Sequence, residues 1–166
     1  HVNYKSNNNF TEHILLKTMM QFDSLSTIEN APVSMNKFWT NKLQLKRLFF
    51  TVDACGLSRK NLISPEIMNR LLIYVYSNNN IKSDFISTLP KAGVSGTLKY
   101  LGRGSSIENQ FIGKSGSMDG VRCYSGYFIK NNSSYAFTIM LNNFSCTSLM
   151  AKKSIVELMD GIYENL

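Results

Sequence analysis

The stretch from about 109 to 143 constrains the fold most. It holds three strand-like runs, at about 109–117, 121–130 and 135–143, parted by turn chemistry. Asp119-Gly120 between the first two is a strong short-range hairpin signal. Asn131-Asn132, followed by Ser133-Ser134, supplies the second link. The spacing predicts an antiparallel meander. The last run, Tyr135 to Leu141, is nearly all apolar, which predicts an inner strand buried on both faces. The first run carries Lys114-Ser115-Gly116. On a strand edge the glycine lets a bound chain approach closely. The lysine brings a fixed positive charge and the serine a hydroxyl donor. Such an edge suits an acidic, peptide-like ligand.

Helical patterns surround the meander. Residues 10–20 place an apolar face through Phe10, Ile14, Leu15 and Met19, with Ser6 to Asn9 as the capping stretch. Residues 32–50 predict a second helix, with Pro32, Val33, Met35, Phe38 and Trp39 and later Leu43, Leu45 and Leu48 on its apolar side. Ser64-Pro65-Glu66 is a helix start, with the serine as cap and the proline at the first helical position. The helix it opens would bury Ile67, Leu71, Leu72 and Val75, and Asn78-Asn79-Asn80 would end it. Pro90 and four glycines between 89 and 106 predict loops, with at most a short helix near Gly96-Thr97-Leu98. Residues 147–165 close the chain as an amphipathic helix through Leu149, Ile155, Leu158, Met159, Ile162 and Tyr163. Helices, a three-strand meander and a final helix packed on the sheet make an α+β arrangement. Three strands form a thin sheet, so strands from outside the sequence are expected to complete it.

Composition sets bounds on function. With 43% hydrophobic residues the chain is globular and not disordered. Its 166 residues suffice for one domain with a sizeable core. No apolar run approaches the ~18 residues of a membrane span. No signal peptide is expected in a sequence that opens on His1 without an apolar stretch behind it, so it is either processed or a piece of a longer chain. The net charge of +7 suits an acidic partner. The basic residues are scattered and no aromatic nucleic-acid motif accompanies them, which argues against nucleic acid. Cys55, Cys123 and Cys146 lie far apart, and the histidines are only His1 and His13. That set predicts no metal site and no cofactor, and small buried thiols in place of a disulfide framework.

Other segments admit both a chemical and a structural reading. Ser6-Asn7-Asn8 can relay a proton and hold an amide, or merely cap a helix. Ser34-Met35-Asn36-Lys37 has the spacing of a serine nucleophile and its lysine base. Nothing around it predicts a desolvated lysine, so an amphipathic helix is the better reading. Asp53 to Arg59 reads as a structural loop with an Asp–Arg pair. His13 has no visible acid or serine partner, which argues against a Ser-His-Asp triad.

Four of these segments, in this order, resemble one family. Ser6 to Lys17 looks like its S-x-N segment and following helix, and Asp53-Ala-Cys-Gly-Leu-Ser-Arg59 to Pro65 like its D-G-S-G-L-S-R signature. Leu89-Pro-Lys-Ala-Gly-Val-Ser-Gly-Thr-Leu98 looks like its L-P-x-A-G-x-x-G-T-L stretch, and Lys114-Ser-Gly-Ser-Met-Asp-Gly-Val121 like its K-T-G strand and hairpin. The family is the D-alanyl-D-alanine carboxypeptidases of the penicillin-binding-protein-4 type. Ser115 for threonine is a mild departure; Ala54 and Cys55 depart further.

The resemblance implies a partial domain over 1–166, the C-terminal part of a β-lactamase/transpeptidase-like fold. The nucleophile segment, the inserted domains and the rest of the protein's N-terminal half would lie upstream. It implies a periplasmic serine hydrolase that cleaves peptidoglycan stem peptides through an acyl-enzyme and is inhibited by β-lactams. Ser6, Asn8 and Lys114 would be catalytic: Ser6 shuttles the proton, Asn8 holds the substrate's peptide and Lys114 sets the field. Ser115, Gly116 and Ser117 would bind substrate, with the Ser117 N–H as half of an oxyanion hole. A chain lacking the nucleophile is expected to be inactive by itself. The other function class consistent with the sequence is a non-catalytic peptidoglycan-binding module.

Overall fold

The computed structural model describes residues 1–46 and 49–166. Among the described residues six helices and three strands follow in order: α1 (Val2–Lys5), α2 (Asn8–Met19), α3 (Ala31–Lys42), α4 (Pro65–Ser77), α5 (Asn79–Ser87), β1 (Phe111–Met118), β2 (Val121–Lys130), β3 (Ser133–Asn142) and α6 (Ser148–Glu164). A single 3-10 turn, Gly96–Leu98, lies between α5 and β1. The strands form one antiparallel sheet in the order β1-β2-β3. This is the expected α+β meander with a helix packed on it.

The turns work as their residues dictate. Met118 pairs with Val121 around Asp119-Gly120, where Gly120 takes φ 68°. Lys130 pairs with Ser133 around Asn131-Asn132. These two take φ 51° and 62°, the doubly left-handed form that matches strand twist and that asparagine tolerates.

Each face of the sheet has its own core. Phe111, Tyr124 and Phe128 pack with Ile155 and Met159 of α6, together with Leu98, Leu101 and Ile107 from the loops. On the other face Tyr127 packs with Leu72 of α4 and Leu89. The Tyr127 hydroxyl donates to the Leu72 carbonyl at 2.8 Å, and burial pushes its pKa up to about 12. Cross-strand Gly113 and Gly126 bring β1 and β2 together closely, since a Cβ at 126 would lie 2.1 Å from the Ile112 carbonyl oxygen.

Several sequence expectations need correction. β3 is an outer strand among the described residues and is at most half-buried along its length; its apolar side chains face a partial covering of helices. Within the expected capping stretch it is Asn7 that caps α2, accepting from the Phe10 N–H, while Ser6 ends the short helix α1. Leu15 and Met19 of α2 are buried, but Phe10 and Ile14 are exposed. α3 stops at Lys42, short of the predicted 50, where Gln44 turns to φ 48°; Leu48 lies outside the described residues. Val33 and Phe38 on α3 are exposed, as are Leu149 and Leu158 on α6. These helices bury a narrower stripe than the apolar pattern suggested. Ser64 caps α4 as expected, accepting from the Ile67 N–H. Ile67, Leu72 and Val75 are buried, and Leu71 only half so. The asparagine run ends α4 and also starts a new helix, because Asn78 caps α5 by accepting from the Asn80 N–H.

The close pairing of β1 and β2 makes a specific demand. Gly126→Ala should destabilise the fold by about 3 kcal/mol, since the methyl meets backbone that cannot step aside. Gly161→Ala, where a Cβ would meet nothing within 4 Å in α6, should stabilise by roughly 0.5–1 kcal/mol. Urea midpoints of the two variants check both. Equal midpoints would contradict this strand spacing.

Candidate active site

The outer edge of β1 is half covered. The Ala92 N–H donates to the Phe111 carbonyl and the Gly113 N–H to the Pro90 carbonyl, at 2.9 and 3.0 Å. An isolated bridge joins Lys91 to Ile112. This cover ends at Gly113. Residues on an antiparallel strand alternate between bonding their neighbour and turning their N–H and C=O groups the other way. Phe111 and Gly113 turn outward, so Ser115 and Ser117 do too. The N–H groups of Ser115 and Ser117 therefore stand on the uncovered half of the edge.

Two distant segments meet there. The Lys114 Nζ donates to the Ser6 Oγ at 2.8 Å and also to the Ser115 carbonyl. The two side chains are separated by 108 residues in sequence. Ser6 is the C-cap of α1, at φ 55° and ψ 53°. A serine in this left-handed region carries roughly 1–2 kcal/mol of strain, and such strain clusters at functional positions. The Ser115 Oγ donates to the Thr97 Oγ1 of the 3-10 turn at 3.1 Å. Gly116 and Ser117 are exposed. A Cβ at 116 would make only ordinary contact with Cys123, at 3.7 Å, so internal packing does not require glycine there. Asn8 is exposed in the first turn of α2, just past Ser6. The structure thus joins Ser6, Lys114 and Ser115 through direct bonds and leaves Asn8 nearby without a bond to them among the described contacts.

The model of the D-Ala-D-Ala carboxypeptidase 3 (S13) family matches residues 1–166. The chain belongs to this family. It is 29% identical over 167 residues to a penicillin-sensitive carboxypeptidase A of Dictyostelium discoideum, covering 95% of this chain and 31% of that protein. It is 33% identical over 122 residues to the D-alanyl-D-alanine carboxypeptidase DacB of Haemophilus influenzae, covering 69% of this chain and 25% of that protein. The crystal structure of penicillin binding protein 4 from Haemophilus influenzae, complexed with a β-lactam, superposes with a TM-score of 0.85. That match has 22% identity and covers 99% of this chain and 39% of that one. The S13 chain described here therefore spans about a quarter to two-fifths of the length of these relatives.

The remaining sequence candidates fall outside this strand-edge cluster. Lys37 is exposed on α3, so nothing desolvates it beside Ser34. His13 is exposed, with its Nδ1 2.7 Å from the Asn9 carbonyl. The 53–59 loop is structural, but its pairing differs from expectation. Asp53 accepts from the Gly56 and Ser58 N–H groups and from Asn61, not from Arg59. Arg59 instead donates to the carbonyl of Asp119 at 3.2 Å and lies 3.5 Å from its carboxylate, tethering the loop to the β1–β2 turn. Glu12 accepts from the Ala54 and Cys55 N–H groups. Glu12, Asp53 and Cys55 place ligand-type atoms within 4.8 Å of one another, and both carboxylates accept bonds that hold the loop. The thiols are free, but none is fully buried as expected: Cys55 and Cys123 are half-buried and Cys146 is exposed. Burial pushes the Cys123 thiol up.

The sequence reading missed Thr97 as the partner of Ser115, and Glu12 and Arg59 as the two ties of the 53–59 loop. Thr97 stood inside the quoted G-T-L stretch. Glu12 carried no signal, because its partners are backbone groups 42 and 43 residues away.

Burial pushes the Lys114 ammonium below the ordinary lysine range. The folded state therefore releases this proton before the unfolded chain does. Between the two values the unfolded chain binds more protons, and stability rises with pH through that window. A side-chain NMR titration should place the Lys114 midpoint below the ordinary ~10.4. A midpoint at or above that value would mean a hydrated ammonium.

Proposed function

We propose that this chain is the substrate-binding and proton-relay part of a serine-type D-Ala-D-Ala carboxypeptidase/endopeptidase. Its substrate would be the stem peptide of peptidoglycan, and β-lactams would acylate the same enzyme. The observation that carries the reading is the 2.8 Å bond from Lys114 to Ser6 at the uncovered edge of β1. It unites, on one ligand-accessible edge, the two motif segments that the family resemblance assigns to catalysis.

The chemistry would run as follows. The peptide lies along β1 as an added strand, with main-chain bonds to the outward groups of Ser115 and Ser117. Lys114 and the Ser115 hydroxyl take the terminal carboxylate, and Asn8 holds the acyl-side peptide. A nucleophilic serine outside these residues attacks the penultimate carbonyl. The Ser117 N–H stabilises half of the oxyanion charge, a role whose loss typically costs ~10²–10³-fold in rate. The C–N bond then breaks. The proton lost by the nucleophile passes through Ser6 to the departing amine, and Lys114 holds Ser6 in place for that transfer. Water hydrolyses the acyl-enzyme. Gly116 keeps the edge flat enough for the peptide to seat. Without the nucleophile no covalent intermediate can form, so the 166-residue chain alone should not be acylated. A periplasmic location belongs to this proposal where the parent gene is bacterial; one relative, from Dictyostelium discoideum, is not.

Two experiments test the reading. Penicillin should leave its adduct, mapped by peptide mass on the full-length product of the parent gene, on a serine outside these residues. An adduct on Ser34 would overturn the motif assignment, and no adduct at all would favour a non-catalytic wall-binding module. Gly116→Ala should leave the urea midpoint nearly unchanged and slow penicillin acylation by roughly tenfold to a hundredfold, the effect of a small misplacement. Unchanged acylation would remove the peptide from this edge.

A further inference from the structure

A cleft of about 400 Å³ opens between the end of α1 and the 3-10 turn. It adjoins the site at two points. Lys5, in its lining, immediately precedes Ser6, and Thr97, also in its lining, accepts the hydrogen bond from the Ser115 hydroxyl. Backbone contact sets its width: a Cβ at Gly96 would lie 2.6 Å from the Tyr4 carbonyl oxygen. Among the described residues that line it, the charged ones are Lys5 and Lys99, both cations. Ser95 and Thr97 add hydroxyls. The Ser95 Oγ accepts from the Lys91 N–H and the Thr97 Oγ1 from Ser115, so each retains its own proton to donate. Two ammonium groups and two hydroxyl donors, with no lining carboxylate, make a cleft suited to an anion.

We propose that this cleft is a subsite for a second carboxylate, carried on the departing segment of the peptide. The proposal rests on the reading that Lys114 and Ser115 hold the terminal carboxylate. The cleft shares Thr97 with the Ser115 hydroxyl and so adjoins the place of that carboxylate. A departing D-Ala carries one carboxylate, which Lys114 and Ser115 would already hold. Lys5 and Lys99 therefore add binding only where the departing segment carries a further acidic group. They make the enzyme selective for acidic departing segments over neutral ones of the same size.

Two peptides with the same acyl part and ending in D-Ala-D-Glu or D-Ala-D-Gln isolate that charge. With the full-length protein, KM and equilibrium binding should each favour the acidic peptide by roughly threefold, the scale of partly exposed charge pairs. The preference should shrink as salt rises and fall to unity in the double variant K5Q/K99Q. No preference in the wild type, or a preference that survives in K5Q/K99Q, would overturn the subsite. Penicillin acylation of the wild-type protein, measured in parallel, separates the two readings. An acylated protein without acid preference loses the subsite but keeps the catalytic reading. A protein that is not acylated and yet binds the acidic peptide through Lys5 and Lys99 keeps the subsite and loses the catalytic reading.

Discussion

The site depends on where the cover of β1 stops. Residues 90–92 pair with the strand from Phe111 to Gly113 and then turn away into the 3-10 segment. Had they continued, the edge would be one more sheet interface, with its N–H groups consumed. The turn away at Gly93, which takes φ 71°, frees the edge just where Lys114-Ser115-Gly116 begins. The same departing segment swings Thr97 back to accept from the Ser115 hydroxyl. One short stretch thus opens the edge and orients a group on it. An open edge is normally a liability that proteins blunt. Here a lysine, two serines and a glycine stand on it, and the lysine is anchored to Ser6 and not free in solvent.

That anchoring reaches across most of the chain. Ser6 closes a helix of only four residues, which no periodicity argument could find. Its position is fixed from three sides. Asn3 donates to Thr88 at 2.8 Å, the Tyr4 backbone abuts Gly96, and Asn7 caps the next helix. The last of these explains how the S-x-N segment serves as a cap and stays compatible with chemistry. The asparagine between Ser6 and Asn8 does the capping, and the serine and the second asparagine are left for other work.

The meander, both turns, the capped helix at Ser64 and the final helix were legible because each is specified locally. Asp-Gly, Asn-Asn and Ser-Pro impose backbone geometry on their immediate neighbours. What failed was everything decided by distant partners. The apolar pattern of α2 and α3 marks Phe10, Ile14, Val33 and Phe38 as core, but burial needs an opposing surface, and among the described residues these four remain exposed. The apolar β3 read as an inner strand for the same reason, since hydrophobicity reports the cover a strand requires and not the cover it has. The site residues themselves came from the family resemblance and not from spacing. The geometry adds which of them touch, through bonds such as Lys114 to Ser6 that no local pattern encodes.

The glycines of the hairpin separate architecture from recognition. Gly113 and Gly126 face each other across β1 and β2, and a methyl on either would strike backbone or the Phe111 ring. Gly116, three residues along the same strand from Gly113, has room for a methyl against Cys123. Sequence alone treats these as equivalent small residues in strands. Space distinguishes them: the first two are required by the fold, and the third is not. Gly116 thus carries the entropic cost of glycine without a packing demand from within the fold. On this strand its position coincides with the end of the 90–92 cover, the outward N–H of Ser117 and the desolvated Lys114. Edge, charge and clearance are three independent features, and they converge on the same few residues.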